Sequence, residues 1–317
     1  MDRVLVAGGV GFIGSSFVHH LLNATDCRVV NLDKLTYAGN LNNIKDLRGE
    51  KRHEFVRGDI RDRRLVSSLV RKVDSVVNFA AESHVDRSIQ KPAVFVETNV
   101  LGVQVLLDAC SKFGVRFQQV STDEVYGSRP EGSFTETDAL NPSSPYSASK
   151  AAADLLVNAY YVTHGLEVTV TRSTNNYGPN QHPEKLVARL ITNALRGKPL
   201  PIYGSGQNVR DWIFVEDNCR AIRTVLEKGE KGQVYNIGGR NERKNVEIAK
   251  EILHRLSLPE TMIQFITDRP GHDFRYSLNC EKIHRLGWKP QVGLEEGLQK
   301  TIDWYTVNKW WWRPLVE

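Results

Sequence analysis

The chain has 317 residues, 40% of them hydrophobic and 25% charged, with a formal net charge of +5. These are the proportions of an ordinary globular protein, and they argue against a disordered or fibrous chain. The basic excess is mild and gathers in no run of one sign, so nucleic acid is not an expected partner, and the sequence offers no apolar run read as a membrane span.

Val4-Leu5-Val6-Ala7 reads as a short buried strand, followed by a glycine-rich loop and a helix from Phe12 to Leu22. Arg28 to Leu32 is the second strand and ends at Asp33. Further strands are expected at Glu54 to Val56, Ser75 to Phe79, Phe117 to Val120 and Glu167 to Thr171, with helices at Val94 to Phe113 and Tyr146 to Thr163. This alternation predicts an α/β fold, a doubly wound parallel Rossmann sheet. After Thr174 the pattern loosens, with Pro179, Pro183, Pro199 and Pro201. Trp212 to Val215 and Val234 to Ile237 read as strands returning to the main sheet. The expected division is a Rossmann domain over 1–174, with returning strands near 209–238, and a smaller interleaved C-terminal lobe from 175–208 and 239–317.

Cys27, Cys110, Cys219 and Cys280 lack paired or metal-ligand spacing and are expected as buried thiols. The histidines form no metal pattern, so no metal site is expected. A glycine loop beginning at Gly8 leaves no room for a signal peptide, and the cytoplasm is the expected compartment. Trp310-Trp311-Trp312 is expected to pack the chain against its own body or a partner.

Gly8, Gly11 and Gly14 lie between strand and helix, where glycines permit a tight turn and let the backbone approach a pyrophosphate. The next helix, starting with Phe12 and Ile13, points free N–H groups at that anion. Asp33 follows Gly14 by about 20 residues, the spacing of a carboxylate that binds ribose hydroxyls. This favours NAD over NADP. Lys34 and Thr36 beside it, Asp59 and Ile60 after the third strand, and Ala80 after the fourth complete the expected cofactor contacts.

Tyr146 and Lys150, four apart on a predicted helix, share a face. An ammonium near a phenol lowers its pKa, fitting Tyr146 to accept an alcohol proton as hydride leaves. Thr122 ends the fifth strand, where ligands meet an open parallel sheet, and can hold the same oxygen. Asp123 and Glu124 follow directly. A plain dehydrogenase needs no acid and base there; a dehydratase that removes a carbon-bound proton and expels a hydroxyl does. His84-Val85-Asp86-Arg87-Ser88 reaches the same rim.

The glycine loop, Asp33 to Asn40, Ala81 to Ser88, Ser121 to Gly127 and Tyr146 to Lys150 together resemble the dTDP-glucose 4,6-dehydratases of the extended short-chain dehydrogenase/reductase superfamily. The likeness continues through Asn175 to Pro179, Pro183 to Leu186, Asn208 to Trp212 and Asp268 to Asp273, nearly the whole chain. The resemblance implies a lyase of deoxysugar biosynthesis with bound NAD, acting as a homodimer on a nucleotide-diphosphate hexose, dTDP-glucose. It gives Thr122, Tyr146 and Lys150 the hydride step, Asp123 the acid and Glu124 the base. It places Ser83, His84, Asn175, Asn176, Glu184, Lys185, Leu186, Pro201, Tyr203, Arg210, Asn245, Arg269 and His272 on the substrate. The chain departs from the usual pattern at Ala7, Val10, Ser173-Thr174 and Phe274. A UDP-linked 4,6-dehydratase, a nucleotide-sugar 4-epimerase, which needs no acid–base pair, and a non-catalytic NAD-sensing protein are the rivals.

Overall fold

The computed structural model describes residues 2–316. Its strands are β1 (Arg3–Ala7), β2 (Arg28–Asp33), β3 (His53–Arg57), β4 (Ser75–Asn78), β5 (Arg116–Thr122), β6 (Val168–Ser173), β7 (Asn175–Tyr177), β8 (Leu200–Tyr203), β9 (Val209–Phe214), β10 (Gln233–Ile237), β11 (Glu242–Lys244) and β12 (Ile263–Ile266). Seven of them form one parallel sheet in the order β10-β6-β5-β4-β1-β2-β3. The order reverses between β1 and β4, and the crevice at that switch point is where open α/β sheets take ligands.

Val4 to Ala7 and all of β4 and β6 are buried, as expected of strands covered by helices on both faces. One apolar cluster, with Leu5, Val76, Leu106, Phe117 and Val157, packs the Arg63–Val70, Gly102–Phe113 and Pro145–His164 helices on one face. A second, with Val6, Phe17, Ile213, Ile222 and Trp288, covers the other face.

Two sequence expectations are corrected. Trp212 to Val215 does not return to the main sheet. It belongs largely to β9, which pairs with β7 and β11 in a separate three-stranded sheet, while β10 takes the edge beside β6. Both strands are apolar runs of strand length, and pattern alone does not say which sheet a strand joins. Secondly, Pro92–Phe113 is a continuous 22-residue helix containing an 18-residue stretch with a mean hydropathy of 1.5, long and apolar enough to cross a bilayer. Half of it is buried inside the molecule, the disposition of a core helix packed against a sheet. Within it Glu97–Leu101 makes a π turn.

The remaining chain builds a second core around Tyr177, Leu190, Trp212, Ile252, Leu298, Tyr305, Trp311 and Trp312. Its helices are Leu186–Ala194, Asn245–Arg255 and Leu294–Val307, and β8 pairs with β12. The four cysteines are free and buried.

Candidate active site

Gly8 adopts φ +79, and a Cβ there would stand 2.5 Å from the Ala80 nitrogen; a Cβ on Gly14 would strike the Gly8 carbonyl. The loop therefore lies tightly against the end of β4, and the helix Phe12–Ala24 packs onto it. The first N–H groups of that helix lack intrahelical partners and face the crevice as a ready anion site. Asp33 ends β2 and accepts from Val10 N at 3.0 Å and Leu35 N at 2.8 Å. Its carboxylate is thus fixed to the loop it serves. Burial raises its pKa, and the two backbone donors oppose the rise.

Gly8, Gly11, Asp33, Lys34, Thr36, Asp59, Ile60 and Ala80 line one cleft with Ala38 and Thr98. Lys34 Nζ pairs with Asp59 at 2.9 Å, and Arg61 pairs with the same carboxylate. Asp59 is held as a carboxylate, its pKa at about 2 despite partial burial, because Arg61 and Lys34 bond it. These residues can hold the adenosine half of a dinucleotide.

The adjoining cavity is lined by Gly11, Phe12, Ile13, Gly14, Thr122, Asp123, Glu124, Tyr146 and Lys150. The five reacting side chains arrive from the end of β5 with the turn that follows it, and from one helix. Thr122 closes β5 and its hydroxyl accepts the Glu124 N–H at 3.3 Å, capping the short 3₁₀ turn Asp123–Tyr126. The same hydroxyl donates to Asp123 Oδ1 at 3.1 Å. Tyr146 and Lys150 come from the Pro145–His164 helix, which opens on a Ser144/Ser147 capping box with Pro145 in its first turn.

Burial pushes the Asp123 carboxyl well up, and the Glu124 charge adds to it. Glu124 is also raised by burial, with Arg269, Arg210 and Lys185 opposing. Two carboxyls with their protons pushed apart in this way make an acid and a base of the same residue chemistry. Tyr146 departs from expectation: burial, then the Glu124 and Asp123 charges, push its phenol up rather than down. Lys150 does not counter this, because its ammonium donates to the Val120 carbonyl at 2.6 Å and is itself lowered to about 8 by burial.

The outer pocket is lined by Ser83, His84, Asn175, Glu184, Lys185, Leu186, Pro201, Tyr203, Arg210, Asn245, Arg269 and His272. Asn176 lies in the central cavity instead; its amide bonds the Thr174 carbonyl at 3.0 Å. Arg210, almost fully buried, donates to the Phe274 and Asp273 carbonyls and lies over the Tyr276 ring. Tyr203 donates to Asp86 at 2.7 Å, and Arg269 approaches the same carboxylate at 3.7 Å. Lys185 Nζ bonds the Ser83 carbonyl at 2.6 Å. The Phe274 ring is 53% exposed, so this departure from the pattern leaves the pocket wall intact.

Three contributors escaped the sequence reading. Asn99, in the π turn, is buried, exchanges hydrogen bonds with the Glu82 backbone, and donates to Ser149 Oγ at 2.9 Å, one residue before Lys150. A lone asparagine in an apolar helix was the signal available. Asn78 ties Ala80 N to Gln119. Tyr276 walls the outer pocket and carries no motif.

The fold and this arrangement define an extended short-chain dehydrogenase/reductase. Residues 5–301 match the family described as GDP-mannose 4,6 dehydratase. The chain is 50% identical to the dTDP-glucose 4,6-dehydratase of Streptomyces niveus, over 99% of its own length and 95% of the relative's. It is 53% identical to the low-salt glycan biosynthesis protein Agl12 of Haloferax volcanii, over 95% and 98% of the two chains. The solved structure of DesIV, a dTDP-glucose 4,6-dehydratase from Streptomyces venezuelae with NAD and TYD bound, matches with a TM-score of 0.97 at 50% identity, covering 99% of each chain. The chain belongs to the dTDP-glucose 4,6-dehydratase family.

Proposed function

We propose that the protein is an NAD-dependent hydro-lyase that converts dTDP-glucose to dTDP-4-keto-6-deoxyglucose, a step of deoxysugar biosynthesis. The observation that carries this reading is the Asp123–Glu124 pair, Asp123 buried and Glu124 partly so, directly after Thr122 and facing the same cavity as Tyr146 and Lys150. The full-length identity to dTDP-glucose 4,6-dehydratases supports it.

Gly8, Gly11, Phe12, Ile13 and Gly14 hold the pyrophosphate of NAD, Asp33, Lys34 and Thr36 the ribose, and Asp59, Ile60 and Ala80 the adenine side. Bound there, NAD would supply the hydride acceptor. Tyr146 takes the O4 proton as hydride leaves C4. The resulting C4 ketone acidifies the C5 proton, which Glu124 removes. Asp123, kept protonated by burial and by its neighbour, gives its proton to the C6 hydroxyl, which leaves as water. Hydride then returns to C6 and Glu124 returns a proton to C5. Ser83, His84, Asn175, Asn176, Glu184, Lys185, Leu186, Pro201, Tyr203, Arg210, Asn245, Arg269 and His272 hold the nucleotide diphosphate and its hexose, the arginines meeting phosphate.

Functionally the chain divides as 1–174 plus 215–238 for the cofactor, and 175–214 with 239–317, which include β9 and its Arg210, for the nucleotide sugar. It works as a homodimer. Val94, Val96, Leu101, Leu155 and Val162 support this, being apolar and at least 42% exposed on two helices packed together. A dimer mass by light scattering is expected, and a monomer at micromolar concentration contradicts it. Four free cysteines suit a reducing cytoplasm; neither membrane nor nucleic acid is a partner.

A panel of nucleotide hexoses read by mass spectrometry tests the function. Loss of water from dTDP-glucose, with one deuterium at C5 when run in deuterated water, is expected. Faster turnover of UDP-glucose overturns the nucleotide assignment. An epimer of unchanged mass means a 4-epimerase, and no turnover at all means a binding protein.

A further inference from the structure

Of the three successive tryptophans, Trp310 is 47% exposed while Trp311 and Trp312 are buried. The Trp311 indole does more than fill the second core. Its Nε1 donates to Asn43 Oδ1 at 2.8 Å. Asn43 is 3% exposed and stands in the turn that follows the cofactor-ribose segment. Asn180 Nδ2 donates to the same oxygen at 3.2 Å. Asn43 Nδ2 in turn donates to the Val10 carbonyl at 2.9 Å. The opposite edge of that residue, the Val10 N–H, is the one bound by Asp33.

The amide of Asn43 is polar in one direction. Two donors converge on its oxygen, so a flipped amide would set NH₂ against N–H. Trp311 and Asn180 therefore decide that Nδ2 points at Val10. Asn180 precedes the segment carrying Glu184 and Lys185, so cofactor loop, substrate loop and C-terminal segment meet at one buried amide.

We propose that Trp311 is a positioning residue for the cofactor: through Asn43 its indole N–H fixes the Val10 carbonyl, and with it the glycine loop that grips the dinucleotide. This rests on the reading of that loop as an NAD site. Trp312 provides the internal comparison, since its Nε1 donates instead to the Tyr305 carbonyl at 2.8 Å.

The test compares Trp311→Phe, Trp312→Phe and Asn43→Ala with the unmodified protein, stripped of cofactor, by equilibrium dialysis against NAD and by turnover at saturating NAD. Trp311→Phe keeps the ring and loses the N–H while Asn180 still bonds Asn43 Oδ1, so NAD should bind about fivefold more weakly, the scale of one lost hydrogen bond. Turnover at saturating NAD should stay within about twofold, because the reacting residues are untouched. Trp312→Phe should lower the melting temperature and leave NAD affinity unchanged. Adding Trp311→Phe to Asn43→Ala should cost no further affinity, since both act through one bond. Unchanged NAD affinity in Trp311→Phe, or equal losses in both tryptophan variants, overturns the proposal. Should Trp311→Phe not fold, Asn43→Ala decides alone: unchanged NAD affinity there overturns it. An unmodified protein that binds no NAD instead overturns the dinucleotide reading beneath it.

Discussion

On the cofactor wall Asp33, Asn43 and Asn78 bond their polar atoms to the chain itself, to Val10 and Leu35, to Trp311 and Val10, and to Ala80 and Gln119. On the substrate wall Asp123 Oδ2, Asn175 Oδ1, Asn245 Oδ1 and Arg269 Nε are buried with no hydrogen bond in the chain. An unmatched buried polar atom costs about 1–3 kcal/mol, which a fold retains where a polar ligand restores the bond. Asn31 Oδ1, against Gly9, is the exception on the cofactor side; otherwise one wall is finished largely by folding and the other by what it binds. Substitutions on the two walls should therefore separate stability from recognition.

The largest effect should come from the substrate wall at the reacting carbons. Glu124→Gln should slow dehydration by about 10³-fold, within the range of general base catalysis. Oxidation at C4 needs neither carboxyl, so reduced-nicotinamide absorbance should appear on adding substrate and persist. Tyr146→Phe should show no such signal. A Glu124→Gln variant that dehydrates normally would sink the assignment of the base.

Asp33→Ala comes next. Loss of a charged ribose partner should weaken NAD binding by about 10- to 100-fold, at 1.5–3 kcal/mol for a hydrogen bond to a charged group. Because Asp33 also braces Val10, stability should fall with affinity, as the comparison requires of the cofactor wall. Titration calorimetry with NAD and NADP checks the affinity and the loss of discrimination between them. Equal affinity of the unmodified protein for both cofactors contradicts the role of Asp33.

A matched pair sharpens the contrast further. Asn245→Leu should raise the substrate KM about tenfold while the melting temperature holds or rises, since it removes an atom unmatched in the free protein. Asn78→Leu should lower the melting temperature by several degrees, as a buried network loses its centre. The reverse pattern would break the comparison.

The smallest effect concerns pH. Asp123 has its folded pKa raised above the unfolded value, so the native state holds the proton more tightly. Its contribution to stability is complete below the unfolded pKa and is lost as pH rises through the folded one. Asp123→Asn removes that loss. Its melting temperature should gain on the unmodified protein by a few degrees at pH 8 and by nothing near pH 3, in thermal melts across the range. In turnover the same carboxyl should set the alkaline limb, and Glu124, also raised, the acid limb.

The positions of the glycine loop after β1, Asp33 at the end of β2, His84 to Ser88 after β4 and Thr122 to Glu124 at the end of β5 were legible because each is a short motif on a strongly patterned element. The first six strands of the main sheet also lie within two residues of their predicted ends. The fate of β9 was not legible, since a buried strand carries no mark of its partner. Nor was the upward shift of Tyr146: the four-residue spacing to Lys150 says the side chains share a face, and says nothing of the Val120 carbonyl that takes the ammonium or of the depth of burial. Asn43 and Trp311 were invisible for another reason. Each looks ordinary where it stands, and only the fold brings them together.

The interleaving of the two cores has a consequence for synthesis. As the chain emerges from a ribosome, β1 to β6 can pair by residue 173, but β10 follows only after the excursion through β7, β8 and β9. Until then β6 is an unpaired, wholly buried-type edge, the kind of surface that recruits a neighbouring chain. A fragment cut after residue 174 should aggregate rather than fold into a free-standing cofactor domain. The glycine loop waits longer still, because Asn43, which braces it, meets its indole partner 268 positions further along the chain.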